Sequence, residues 1–337
     1  MLNLLGKIYG VGADLRNTFY DRGIFKTHSL GAKTISVGNL TTGGTGKTPL
    51  VAYIAELLAA SGEKVCILTR GYGRDSSGRV LVSNGEEVLV DARTGGDEPV
   101  ELARKLIGKA IIVADADRVA AAAWAKEEFG VTAFVLDDGF QHRRARRDLD
   151  IVCVDTTSPL RFARMLPGGN LREPLSNLDR ADVIVLTRAE LAASTKDFIR
   201  SVRDLNPGAP IFRAEALLRR LRTLDAYLAG RSNEETQTLT KQTLAFCGLG
   251  NPQPFMEMLA KEGTTLIKPF DDHHRYTQSD IEQIEETAQA YRSNALVTTA
   301  KDAVKLDGLT FEIPCLVAEL EVVIDDPDGF RDLVISS

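Results

Sequence analysis

Short runs of branched and apolar residues recur along the chain, separated by stretches whose apolar positions fall three and four apart. Residues 64–69, 110–114, 131–136, 150–154 and 181–186 are continuous apolar runs, the pattern of strands buried on both faces. Residues 100–107 and 119–129 lie between them and have helical spacing. The alternation predicts βαβ units, and so an α/β fold with a mostly parallel sheet flanked by helices. Such sheets collect ligands at the carboxyl ends of their strands.

Residues 219–242 are charged and keep neither period, which reads as a linker. Beyond them, 243–249, 266–270, 295–299 and 315–323 again suit strands, with helices at 254–261 and 279–290. The expected organisation is an N-terminal segment at 1–27, a larger domain at 28–218 and a smaller α/β domain at 219–337 that begins with the linker.

The first 27 residues differ in character. Leu4, Ile8, Val11, Leu15 and Phe19 recur at helical spacing, with Lys7, Arg16, Arg22 and Lys26 nearby. An amphipathic helix lying on an anionic membrane surface has this pattern. A helix packed on its own domain has it too, and Gly10 and Gly12 weaken either helix.

Composition narrows the classes. The chain is 44% hydrophobic and 26% charged, ordinary for a globular protein, and its net charge of −6 argues against general nucleic-acid binding. Cys66, Cys153, Cys247 and Cys315 sit in apolar runs without C-x-x-C spacing, which reads as reduced core residues and not a metal or disulfide framework. No run reaches the ~18 apolar residues that span a bilayer, and no secretory leader precedes the first strand.

The sharpest chemical feature is residues 34–60, TISVGNLTTGGTGKTPLVAYIAELLAA. A branched run, a glycine-rich turn and a helical stretch follow one another in the order of a phosphate loop. Glycines let successive backbone N–H groups turn toward an anion, and the next helix points its N-terminus at the same place. Thr41, Thr42, Gly43, Gly44, Thr45, Gly46, Lys47 and Thr48 are the expected ATP-binding residues, although Thr41 replaces the first glycine of the usual pattern. Lys47 would reach the β- and γ-phosphates, and the Thr48 hydroxyl would join the coordination of Mg²⁺.

Residues 133–142, AFVLDDGFQH, resemble a strand that delivers Asp137 and Asp138 to its carboxyl end, where a carboxylate meets the Mg²⁺ of a nucleotide. An Asp-Asp-Gly turn with no such role has the same letters. The run His142, Arg143, Arg144, Arg146 and Arg147 follows directly, and Arg172 and Glu173 stand in GGNLREP; these suit a phosphate-binding rim or a solvated face. Asp97, in GGDEP, is placed as a helix cap or as an acid–base group. His273, in FDDHH, suits a dyad with an aspartate that deprotonates an attacking hydroxyl.

ISVGNLTTGGTGKT, LTRGYGR, GDEP, DDGFQHR, GNLREP, FDDHH and TTAKD, in that order, closely resemble the tetraacyldisaccharide 4′-kinase (lipid A 4′-kinase) family of Gram-negative bacteria, from about residue 16 to residue 306. The resemblance implies a P-loop kinase that uses Mg²⁺ and transfers the ATP γ-phosphoryl group to the 4′-hydroxyl of a tetraacylated glucosamine disaccharide 1-phosphate, forming lipid IVA. It implies peripheral association with the cytoplasmic face of the inner membrane. By motif, Lys47 and Thr48 serve the triphosphate, Asp137 and Asp138 the metal, and Asp97 with His273 forms the base, Asp97 accepting the sugar proton. His142, Arg143, Arg172 and Glu173 fall on the active-site rim, and the arginine run would steer the substrate's 1-phosphate or lipid headgroups.

Two rival classes share the phosphate loop. A partition-type switch ATPase would carry lysine at Thr42, and a GTPase-type metallochaperone would carry [NT]-K-x-D, whereas Thr299-Ala300-Lys301-Asp302 holds its lysine one position late.

Overall fold

The computed structural model describes residues 2–158, 160, 163–192, 194–231, 236–240, 242–264 and 266–337. Seven strands come first: β1 (Lys33–Asn39), β2 (Val65–Thr69), β3 (Val80–Ser83), β4 (Ala110–Ala114), β5 (Ala133–Asp137), β6 (Leu149–Asp155) and β7 (Val183–Thr187). Five follow: β8 (Ile211–Thr223), β9 (Thr243–Cys247), β10 (Leu266–Pro269), β11 (Ala295–Thr299) and β12 (Cys315–Ile324). All join one sheet in the order β10-β9-β11-β12-β8-β7-β6-β1-β5-β2-β4-β3. Pairing is parallel except for β3 with β4 and β8 with β12. The α/β reading holds.

Helices cover both faces. α1 (Leu2–Asp21) opens the chain, α2 (Lys47–Ala60) follows β1, and α3 (Ala92–Gly95) with α4 (Asp97–Lys105) precedes β4. Next come α5 (Arg118–Phe129), α6 (Lys196–Leu205), α7 (Leu224–Leu228), α8 (Gln253–Lys261), α9 (Gln278–Ala290), α10 (Ala300–Ala303) and α11 (Pro327–Ser336). β2, β4 and β7 are buried at every position, and apolar except for the closing Thr69 and Thr187, because both faces of the sheet are covered. The four cysteines are free and buried.

Two features differ from the expected division at 218/219. That boundary falls inside β8, a 13-residue strand. Its arginines are matched by glutamates on β12, Arg220 to Glu319 at 3.1 Å and Arg219 to Glu321 at 3.9 Å, so a charged sequence builds a paired strand where a linker was expected. Residues 232–235 and 241 of the same stretch lie outside the described residues. α11 also folds back: Phe330 meets Tyr53 of α2 and Phe212 of β8, with ring centroids 6.1 and 5.2 Å apart. The last helix therefore completes the core of the first half.

α1 packs one side on the body and leaves most of its periodic apolar residues exposed. Leu4, Ile8, Val11 and Leu15 are 52–68% exposed, so the apolar stripe faces outward. Gly6 and Gly10 are buried and lie against Met165, where a Cβ on Gly6 would approach the Met165 carbonyl to 3.1 Å. Gly10, one of the two glycines that weaken the helix, and Gly6 let it sit close to the body, whereas a Cβ on Gly12 would meet nothing within 4 Å.

Candidate active site

β1 ends at Asn39 and hands the chain to the phosphate loop at the carboxyl edge of the sheet. Gly43 and Gly46 have φ of 97° and 74°, values that glycine adopts without strain, and Gly46 caps α2. Thr187, at the end of β7, donates its hydroxyl to the Thr45 carbonyl at 2.8 Å and pins the loop. Residues 41–48 all line a cleft of about 1030 Å³ between this edge and the second half of the sheet.

Lys47 donates to Asn39 Oδ1 at 3.0 Å and lies 3.5 Å from Asp138 Oδ1. β5 pairs with β1 in register Val37 to Asp137, which carries both aspartates to the loop. Asp138 has φ of 55° and is gripped by Arg172 through two hydrogen bonds of 2.7 and 2.8 Å. Burial opposes its charge, but the Arg172 hydrogen bonds and the Lys47 charge outweigh burial and hold the carboxyl well below the usual range. Asp137 has the opposite balance. Burial first, then the charges of Glu98 and Asp138, push it up to about 7 against Lys47 and a bond from Thr69.

Asp97 begins α4 and reaches His273 across the chain, Oδ2 accepting from Nδ1 at 2.7 Å. Its other oxygen accepts the Glu98 backbone N–H at 2.9 Å. Burial pushes the Asp97 carboxyl up, but the His273 bond and the charges of Lys301 and Lys305 prevail and leave it below the ordinary value. His273 is shifted up, chiefly by the bond to Asp97, with burial and Lys301 opposing. Its ring lies 5.3 Å from that of Tyr72. His273 lines the cleft, while Asp97 stands behind it with 6% exposure.

The rim residues divide. Arg172 lines the cleft; His142, Arg143 and Glu173 do not, and instead brace α1 or the core. Glu173 accepts from Asn17 of α1 at 2.7 Å and pairs with Arg180 at 2.6 Å. Arg143 pairs with Asp21 at 2.6 Å and covers the Tyr20 ring. His142 is pushed down to about 4 by burial and by Arg118 and Arg147. Arg147 donates to the Gly139 and His142 carbonyls, and Arg144 pairs with Asp117 at 2.8 Å. Pairing within the fold thus occupies most of the arginine run expected to meet phosphates.

Several cleft residues were not assigned from sequence. Lys301 bridges Glu98 at 3.2 Å and Asp272 at 3.3 Å, and Arg188 pairs with Asp155 at 2.5 Å beside the phosphate loop. Lys301 was visible in TTAKD, but its partners Glu98 and Asp272 lie far from it in the sequence.

Comparisons with known proteins agree along the chain. The family described as Tetraacyldisaccharide-1-P 4′-kinase matches residues 1–337. The tetraacyldisaccharide 4′-kinase of Chlorobaculum parvum is 40% identical over 307 residues, 90% of this chain and 82% of the relative. That of Desulfotalea psychrophila is 36% identical, covering 99% of this chain and 94% of its own. A crystal structure of the "apo" form of LpxK from Aquifex aeolicus in complex with ATP matches with a TM-score of 0.80 at 32% identity, over 98% of this chain and 96% of that one. With its phosphate loop, acidic strand end and aspartate–histidine pair on one cleft and relatives matched over nearly its full length, the chain belongs to the tetraacyldisaccharide 4′-kinase family.

Proposed function

We propose that the two walls of the cleft divide the family's reaction, transfer of the ATP γ-phosphoryl group to the 4′-hydroxyl of a tetraacyl glucosamine disaccharide 1-phosphate in lipid A biosynthesis. The observation that carries this reading is the Asp97–His273 contact of 2.7 Å, which sets a proton acceptor in the same cleft as the phosphate loop. Phosphoryl transfer needs positioning and charge neutralisation more than covalent help. Residues 41–48 cradle the triphosphate, with Lys47 on the transferring group. Arg172 and Lys47 keep Asp138 ionised, and Asp138 in turn holds both cations in place.

The residues present fit Mg²⁺. Asp137 is a buried carboxylate crowded by two others, and a cation beside it supplies the charge it lacks. No cluster of three or more His, Cys, Asp or Glu among the described residues suits a metal. A site completed by phosphate oxygens and water needs none. Asp137 and the Thr48 hydroxyl would hold the ion, which neutralises phosphate charge when bound.

The proton of the 4′-hydroxyl goes to His273. The resemblance gave it to Asp97, but the imidazole lines the cleft and the carboxylate lies behind it. With Nδ1 donating to Asp97, Nε2 lies 3.8 Å from Asp272 Oδ2, beyond hydrogen-bond reach, and can accept; Asp97 stabilises the resulting imidazolium. No helix of the described residues is long and apolar enough to cross a membrane. The outward stripe of α1 is a docking surface for the bilayer that holds the lipid substrate, a peripheral attachment at the inner membrane's cytoplasmic face.

The test is a mutant cycle with labelled ATP and the disaccharide lipid in detergent micelles. Asp97→Ala and His273→Ala should each lower kcat about 100-fold or more, within the range of general acid–base catalysis, with ATP affinity little changed. The double variant should lose little beyond either single. Independent, multiplying losses would refute the pair.

A further inference from the structure

One buried cation beside the dyad has no part in this mechanism. Asp302 has no exposure, and its Oδ2 accepts from the Thr299 hydroxyl at 2.7 Å and from the Gly248 N–H at 3.0 Å. One turn on, Lys305 places Nζ 2.7 Å from Asp302 Oδ1 and 4.0 Å from Asp97 Oδ2. The Tyr276 ring packs 5.3 Å from that ammonium, and the Lys305 side chain is 8% exposed. Lys305 does not line the cleft.

An ammonium is costly to bury, and leaving it out along with its partner is often neutral for stability. Asp302 alone would balance its charge. The lysine stands instead between carboxylates from the two halves of the sheet, Asp97 and Asp302. Asp97 Oδ2 faces two partners, His273 at 2.7 Å and Lys305 at 4.0 Å, while Oδ1 accepts the Glu98 backbone N–H at 2.9 Å. Lys301 flanks the same turn by pairing with Glu98, so two lysines four residues apart grip the start of α4.

We infer that Lys305 is a positioning residue for the 4′-kinase reaction: fixed by Asp302, its ammonium holds the Asp97 carboxylate in the orientation that accepts from His273 Nδ1 and so turns the other edge of the imidazole to the cleft. The inference rests on the dyad reading above. Lys305 does not line the cleft, so the inference places its effect on turnover and not on ATP binding.

The experiment measures kcat, the KM for ATP and thermal stability of the full chain in detergent micelles. Lys305→Met should lower kcat about 10- to 100-fold, the scale of a small misplacement behind the reacting groups, with the KM for ATP within twofold. Lys305→Arg should recover most of that loss. Because Lys305→Met leaves Asp302 buried without its cation, Asp302→Asn with Lys305→Met removes both charges; this pair should regain the melting temperature yet keep the loss in kcat. Lys305→Met added to His273→Ala should cost less than twofold more. Recovery of kcat in the charge-free pair, or a full further loss on top of His273→Ala, would overturn the inference. If His273→Ala itself turns over normally, the dyad fails; if His273→Ala is impaired while Lys305→Met is not, only the role of Lys305 fails.

Discussion

On one wall of the cleft, Asn39, Lys47 and Asp138 meet because β1 and β5 are neighbouring strands in parallel register. On the other, Asp97 and His273 meet across 176 residues, from a helix start in the first half of the sheet and a loop after β10 in the second. The phosphate wall is assembled from backbone geometry that each segment carries locally. The proton wall exists only when the two halves lie against each other, and it depends on paired charges: Asp97 with His273, Lys301 with Glu98, Lys305 with Asp302. A locally built site can be stiff in isolation, whereas one built across a cleft is tied to closure of that cleft.

The strongest way to break this contrast is Lys47→Ala. Removing a preorganised cation from the transferring group should lower kcat about 1,000-fold, the upper range for losing one electrostatic contact in a buried site. Lys47 also steadies Asp138, so the loss should exceed that of either dyad variant in the same micelle assay. If Lys47→Ala retains more activity than His273→Ala, the phosphate wall does not dominate.

What the sequence made legible follows the same line. The phosphate loop and the strand delivering Asp137 and Asp138 are contiguous, so hydrophobic period, glycines and acids all appear in one window. The dyad was paired through family resemblance, because no local pattern links Asp97 to His273. β8 was hidden since its buried face alternates with arginines whose partners lie on β12, about a hundred residues away. Arg143 and Glu173 were legible as a motif but not as braces of α1, because composition does not reveal which partner satisfies a buried charge. The exposed stripe of α1 was legible in its period and not in its direction, which Gly6 and Gly10 decide by packing against Met165.

The proton wall is sharpened by pH. The bond to Asp97 raises the His273 pKa above its ordinary 6.5, and the base must be neutral to accept a proton. Turnover should therefore climb about tenfold per unit on the acid side and level off above a pH higher than 6.5. Asp97→Asn removes the charge that favours the imidazolium, so the same limb should move to lower pH while its plateau falls. His273→Ala should abolish the limb. A wild-type limb in the carboxylate range, below pH 4, would give the proton to Asp97 instead.

The smallest effects on turnover belong outside both walls, and they test the proposed docking of α1 on a membrane against charge on the arginine run. Arg144 is half exposed and pairs with the exposed Asp117, a contact worth about 0–1 kcal/mol. Ile8 and Val11 are 61% and 68% exposed on the outward stripe, and burying such a side chain in an apolar phase is worth roughly 1.5–3 kcal/mol. In micelles that present the lipid directly, Arg144→Ala should change kcat less than twofold, and Ile8→Asp with Val11→Asp only a little more. On vesicles of anionic phospholipid the two should part. The α1 double variant should lose about tenfold or more in sedimentation with the vesicles, while Arg144→Ala binds as the parent does. Equal losses would mean that charge on the arginine run, and not the apolar face of α1, brings this enzyme to its substrate.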